Sequence, residues 1–368
     1  MAETGPRLGW SRGSWLWLLL GLVAVVALGT VAQRTFYGDR PARLHQMAGA
    51  TMGTTWSLKV SLPDGAPLPW LDAIRDTVQS RLDRVETLMS TWDSTSELSR
   101  FNRSRDTSAV ALSTETMEVL AVAAEVGRAS GGAFDVTVAP LVNAWGFGPG
   151  SPATGGPPAL STLDSLRALV GFDRILLDLR AGTAAKANPA VAVDLSAVAK
   201  GYAVDRAADG VARLGVTDFA LEVGGEVRAS GLRPDGAPWR VAVEAPLVGS
   251  RAILRVLEVR NEAVATSGDY RNFFDVEGTR YAHIIDPRTG RPVEWKGFSV
   301  TVLHSDAARA DAWATALSVL GPHEGLVLAE AQGLAALFVT TREDGSFEVL
   351  VTRSLQDRLS GGNEELRD

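Results

Sequence analysis

The chain contains no cysteine. That absence excludes disulfides, cysteine-ligated zinc, iron–sulfur clusters and a thiol nucleophile. Histidine is scarce as well, with 4 in 368 residues, which argues against a transition-metal centre built from several imidazoles. Lys and Arg nowhere form a dense cluster and the net charge is -7, so the continuous basic footprint of a nucleic-acid binder is missing. No repeat of short fixed period is present either. What remains is globular composition, 46% apolar and 21% charged, on a chain long enough for one large domain or two packed lobes.

The N-terminus carries a membrane signal. Arg7 and Arg12 precede an apolar run from Trp15 to Ala32, and Gln33 and Arg34 follow it. At about 18 residues the run is near the short end of what spans a bilayer. The positive charges before it favour an inside N-terminus, although Arg34 and Arg40 blur the asymmetry. Thr30-Val31-Ala32 also resembles a small-residue cleavage site, so a cleaved signal peptide is the alternative to a retained anchor. Both readings export the rest of the chain. The expected organisation is a signal or transmembrane segment over 1–34, a linker over 35–50, one folded domain over 51–352 and a polar tail over 353–368.

Within that domain the pattern predicts α+β architecture, with mixed or antiparallel sheets covered by helices. Thr54 to Leu62 reads as the first strand. Leu71, Ile74, Val78, Leu82, Val85 and Leu88 recur at three- and four-residue intervals, an amphipathic helix. Further helices are expected at 113–127, 197–214, 307–320 and 322–330. Strands are expected around 174–179, 190–194, 219–223 and 298–303, with hairpins over 238–259 and 335–351. The segment FDVTVAPLV reads first as a core strand, and residues 146–158 are too rich in Gly and Pro for a regular element.

The segment DAWATALS places Asp311 and Thr315 four residues apart on a helix, so their oxygens share a face. Oxygen ligands suit magnesium, which keeps several waters and is often shared with substrate phosphates. The pair by itself also fits a helix cap or a satisfied polar contact. It follows a polar stretch, SGDYRNFF through HIIDPRTGRP.

Other segments appear in order: MGTTWSLKV, MSTWDSTSELSRFN, SGGAFDVTVAPLVNAWGFG, DLSAVAKGYAVDRA, LEVGGEVRASG, ATSGDYRNFF, HIIDPRTGRPV and ADAWATALSVLG. Together they resemble the ApbE family of FAD:protein FMN transferases and cover nearly the whole exported region. The resemblance implies an enzyme that binds FAD and Mg2+ outside the cytoplasmic membrane. It implies transfer of the FMN half to a threonine (or serine) hydroxyl of a target protein, with release of AMP. The implied partner is a periplasmic or membrane-bound electron-transfer protein, and the implied location is the periplasmic side of the inner membrane. Many members are lipoproteins with a cysteine after the signal; here a helix or a plain signal peptide must replace that anchor.

The resemblance also implies site residues. Asp311 and Thr315 match the side-chain metal ligands, and the loop around Ser196 and Ala197 matches the source of a backbone carbonyl ligand, with Asp194 orienting it. Many relatives carry small glycines where this chain has Ser196 and Ala197. His283 matches a catalytic or phosphate-binding position, Asp311 a catalytic one. Met52, Trp92, Ser96, Glu97, Lys200, Gly224, Gly225, Glu226, Ser267, Gly268 and Asp269 match the FAD-binding surface. Asn143 and Trp145 are candidates for the cleft wall, while His45, His304 and His323 read as structural. Two other functions use the same residues: hydrolysis of FAD to FMN and AMP, and flavin binding or assembly without turnover.

Overall fold

The computed structural model describes residues 41–149, 156–247, 249, 252–268, 273–276, 279–294 and 297–361. The expected membrane segment, the middle of the Gly/Pro-rich loop and Asp269 lie outside them. Among the described residues no helix is long and apolar enough to cross a membrane.

The centre is a sheet of eight strands: β1 (Ala42–Thr51), β2 (Thr54–Pro63), β3 (Phe219–Val223), β4 (Glu226–Ser230), β5 (Glu262–Gly268), β6 (Phe298–His304), β7 (Ala335–Thr341) and β8 (Phe347–Val351). Spatial order follows chain order, and every pairing among the described residues is antiparallel. Helices fill the long excursions: α1 (Leu68–Met89), α2 (Thr114–Ala129), α3 (Ser196–Arg213), α4 (Ala307–Ala331) and, at the end, α5 (Arg353–Gly361).

Strand alternation divides the core in two. On one face Trp56, Leu58 and Val60 of β2, Leu221 of β3, Ala263 and Ala265 of β5 and Val300 of β6 pack under α1, α3 and α4. On the other face Val227, Val264, Leu303 and Leu337 pack under a hairpin formed by Trp239–Glu244 and Ile253–Val259. The periodic residues of α1 behave as their spacing predicts: Ile74, Val78, Leu82, Val85 and Leu88 are buried. Trp56 ties that helix to the sheet, its Nε1 donating to Gln79 Oε1 at 2.8 Å while Gln79 Nε2 donates to the Ala50 carbonyl at 3.1 Å.

Four expectations are corrected. The region taken as a linker contains β1, which pairs with β2 along its full length. FDVTVAPLV is a 3-10 turn, Val136–Val138, followed by a short helix, Ala139–Ala144. There Asp135 accepts from the Thr137 N–H and Pro140 occupies the first helical turn, so local capping overrides the β-branched composition. Residues 190–194 form no strand, although Val191 and Val193 are buried. The polar tail begins with α5, whose Leu355 is buried in the second core. The predicted break within α4 is present: Gly321 has φ 76° and Pro322 follows it.

Candidate active site

At one end of the main sheet two tight hairpins lie side by side. β1 and β2 are joined by Met52 and Gly53, at φ 47° and 70°, which suits a two-residue hairpin because it matches the strand twist. Glycine adopts such angles freely and methionine seldom does. The Met52 N–H donates to the Glu86 carboxylate at 3.2 Å. β3 and β4 are joined by Gly224 and Gly225, also at positive φ. The Gly224 N–H donates to the Thr55 carbonyl at 3.1 Å, and a Cβ there would come within 2.9 Å of Thr54. The glycines therefore make the turn and its contact with the neighbouring hairpin. β5 pairs with β4 so that Ser267 and Gly268 reach the same end as Glu226.

α4 crosses the helix-covered face and presents Asp311 and Thr315 there. Thr315 Oγ1 lies 3.3 Å from Ser267 Oγ. Asp311 is buried, and its Oδ2 accepts from the Gly201 N–H of α3 at 3.0 Å. This contact needs close helix packing: a Cβ on Gly201 would lie 2.2 Å from the Ala307 carbonyl oxygen. The preceding residue, Lys200, reaches Glu226 on β4, with Nζ 2.5 Å from Oε1. The structure thus brings together Lys200, Glu226, Ser267, Asp311 and Thr315 from two helices and two strands.

Among the described residues the charges in this group are not balanced. Two buried carboxylates, Glu226 and Asp311, face one lysine. Burial pushes the Glu226 carboxyl up to about 7; Lys200 opposes that shift and Asp311 adds to it. Burial also raises Asp311, against the pull of Lys200 and the Gly201 N–H. Glu226 Oε2 is buried without a hydrogen-bond partner among the described residues, a state that costs about 1–3 kcal/mol or more for a charged acceptor. The arrangement suits a bound cation or a ligand that brings donors.

The sequence model of the ApbE family matches residues 52–338. The chain belongs to the ApbE family. It is 40% identical over 326 residues to the FAD:protein FMN transferase of Vibrio cholerae serotype O1, covering 88% of this chain and 95% of that one. It is 35% identical over 332 residues to the FAD:protein FMN transferase of Escherichia coli K12, covering 87% and 92%. The solved structure of the flavin transferase ApbE from Vibrio cholerae superposes with a TM-score of 0.77 at 38% identity, covering 86% of this chain and 99% of that one.

In this ApbE-family chain the donor set fits magnesium. Asp311 and Thr315 offer hard oxygens, and no group of three or more His, Asp or Glu suited to a metal occurs among the described residues, so water and substrate oxygens would complete the shell. Ser196 and Ala197, expected in a loop at the start of a helix over 197–214, both lie in the first turn of α3. The Ser196 N–H donates to Asp194 Oδ1 at 2.9 Å, so the Asp194 carboxylate holds the residue that opens α3. In an ideal helix the Gly201 N–H serves the Ala197 carbonyl. Its bond to Asp311 competes for that donor and leaves acceptor capacity on the Ala197 carbonyl.

The remaining predicted residues are dispersed around this centre. Trp92 is 71% exposed. Ser96 is buried as a helix cap, accepting from the Ser99 N–H and donating to the Ser90 carbonyl. Glu97 accepts from the Ser113 N–H and from the Ser113 and Thr116 hydroxyls. Capping thus engages the polar atoms of both. His283 lies beside Phe147, ring centroids 6.4 Å apart, on a wall where Trp145 Nε1 donates to the Gly290 carbonyl at 2.8 Å. Trp145 also meets Tyr281 at 5.3 Å. No described contact joins His283 to Asp311 or Glu226.

Sequence reasoning missed Gly201, Asp205 and Arg228. Asp205 is buried on α3, accepts from the N–H groups of Ala307 and Ala308 at 2.8 and 3.0 Å and pairs with Arg228 at 3.0 Å. The signal was present in AKGYAVD, where Gly and Asp stand four apart on one helical face. Burial, with Asp306 adding, pushes the Asp205 carboxyl up to about 6, against its N–H partners and Arg228. Because this lies above the ordinary aspartate value, the native state holds the proton more tightly than the unfolded chain. The associated stability is full below about pH 4 and is lost as pH rises towards 6, by about 3 kcal/mol for a shift of about two units. Urea unfolding at pH 4 and 6.5 should show that loss in the wild type and a reduced one in Asp205→Asn. Equal slopes in both proteins would assign the effect elsewhere.

Proposed function

We propose that this ApbE-family enzyme transfers the FMN part of FAD to a threonine (or serine) hydroxyl of a target flavoprotein in a magnesium-dependent reaction. The observation that carries the reading is the placement of Asp311 and Thr315 beside Lys200 and Glu226, at the rim formed by the two hairpins. In the reaction the acceptor oxygen forms a bond to the FMN phosphorus. The bond from that phosphorus to the bridging oxygen breaks, AMP leaves with the bridging oxygen, and the hydroxyl proton is lost. Asp311, Thr315 and the Ala197 carbonyl would hold the magnesium ion, which when bound offsets charge on the pyrophosphate and the leaving group.

The chain's own residues organise the rest. Lys200, one-third exposed at the rim, supplies positive charge to the pyrophosphate while Glu226 holds its ammonium in place. Glu226 Oε2 accepts from a hydroxyl of the bound nucleotide. The Met52 turn gives an apolar cover to a ring, and Trp92 offers an exposed face for stacking. His283 is assigned to the target hydroxyl or to a phosphate oxygen. The apolar N-terminal run would keep the enzyme on the periplasmic side of the inner membrane, where a membrane-bound electron-transfer protein receives the FMN.

The test incubates the full chain with FAD, Mg2+ and a periplasmic flavoprotein fragment, following acceptor mass and AMP together. A magnesium-dependent gain of one FMN, abolished by chelator, is the expected result. AMP and free FMN without a modified acceptor would replace the reading with FAD hydrolysis. Bound FAD with neither product would replace it with a carrier role.

A further inference from the structure

We infer that Asp205 is a positioning residue for the metal ligands of α4. It anchors the start of α4 to α3 and so sets where Asp311 and Thr315 stand. The inference rests on the proposed role of Asp311 and adds the device that places it.

The two helices are joined at successive turns. Asp205 Oδ2 accepts from the N–H groups of Ala307 and Ala308. One turn earlier on α3, Gly201 donates to Asp311, which lies one turn later on α4. Arg228 reinforces the first of these joints, since its guanidinium bonds both Asp205 Oδ1 and the Ser305 carbonyl just before α4. The start of α4 is therefore held from α3 and from β4 together.

The N–H groups of Ala307 and Ala308 need acceptors at the start of α4, but nothing in helix capping requires that these come from another helix. α4 has its own N-cap, Asp306, whose side chain accepts from the Arg309 N–H at 2.9 Å. Asp205 instead takes the two preceding N–H groups from a different element, and a capping bond made between helices fixes their relative position. The oxygens of Asp205 meet three donors, a load suited to a carboxylate, which only accepts. An asparagine would turn an amide N–H towards one of them.

Charge pattern adds register. Along α3 and β4 the pairs are Lys200 with Glu226 and Asp205 with Arg228, of opposite polarity. Sliding one element along the other would bring Lys200 towards Arg228, or Asp205 towards Glu226, and like charges would oppose the slip. The same pairing that places Lys200 at the site thus places Asp205 under α4.

Groups that support a metal ligand typically change metal affinity about 10- to 100-fold when removed. The experiment titrates the full chain with Mn2+ in the absence of acceptor, reading free ion by its electron paramagnetic resonance. It also measures the Mg2+ dependence of transfer. Asp205→Asn should raise the Mn2+ Kd, and the Mg2+ concentration for half-maximal rate, about tenfold, with kcat at saturating Mg2+ within about threefold of wild type. Arg228→Met, which loosens the same joint from β4, should shift both in the same direction and provides the test should Asp205→Asn fail to fold. A lower melting temperature with unchanged Mn2+ affinity would reduce Asp205 to a stability role. If Asp311→Ala binds Mn2+ as the wild type does, the metal assignment itself falls, and the role of Asp205 with it. If Asp311→Ala loses Mn2+ while Asp205→Asn and Arg228→Met keep it, the Asp205 inference alone is overturned.

Discussion

Asp311→Ala is expected to reduce magnesium-dependent FMN transfer about a thousandfold while leaving a folded protein. The magnitude follows from the several kcal/mol a divalent cation contributes to stabilising charge in a phosphoryl-transfer transition state; about 4 kcal/mol corresponds to about three decades of rate. The fold should survive because Asp311 is a desolvated carboxylate that burial disfavours and Lys200 only partly compensates. Its removal relieves a buried charge, and the Gly201 N–H retains its helical acceptor. Initial rates at saturating Mg2+, with urea unfolding of the same preparation, check both halves. A rate within tenfold of wild type would remove Asp311 from the metal site.

Gly201→Ala should destabilise the protein by about 2–3 kcal/mol, the upper part of the range for overpacking a close contact. Helix propensity argues for the opposite sign, since alanine is favoured over glycine by about 1 kcal/mol in a helix interior. The crossing decides. The added Cβ would lie 2.2 Å from the Ala307 oxygen, 2.6 Å from its carbonyl carbon and 2.8 Å from the Ala308 Cα. All three are backbone atoms, so no side chain can swing away and the helices must part. Separation would also draw Asp311 from the Gly201 N–H, so transfer should fall about tenfold or more, by at least about 1.4 kcal/mol of barrier. Denaturant unfolding and the transfer rate measured side by side test this. A variant as stable and active as wild type would show that the crossing yields easily.

What could be read in the sequence was local. Period 3.6 located α1, and the spacing of Asp311 and Thr315 placed both on one face of α4. Gly321-Pro322 marked the break in that helix. Local composition misled where one signal outweighed another: FDVTVAPLV looks like a strand by its valines but carries a capping Asp at its second position. β1 escaped notice because ARLHQMAGAT has no β-branched residue before its last position and owes its strand state to pairing with β2. The electrostatic centre was harder still. Gly201 and Asp311 are 110 residues apart, and Asp205 and Ala307 are 102 apart. Nothing in either segment states which helix it will meet. Glu97 illustrates the converse: a family-matching residue whose carboxylate is engaged in holding the start of α2.

The break at Gly321 also divides responsibility along α4. Upstream of it lie Asp311, Thr315 and the joint to α3; downstream, Val327 is exposed and Ala329 is buried against the main core. A continuous 25-residue helix would act as a lever, carrying any tilt of its far end to the ligands. With a left-handed residue in the middle, the two segments need not rotate together. Substitutions at exposed positions after the break, such as Val327, should therefore disturb the ligands less than substitutions before it.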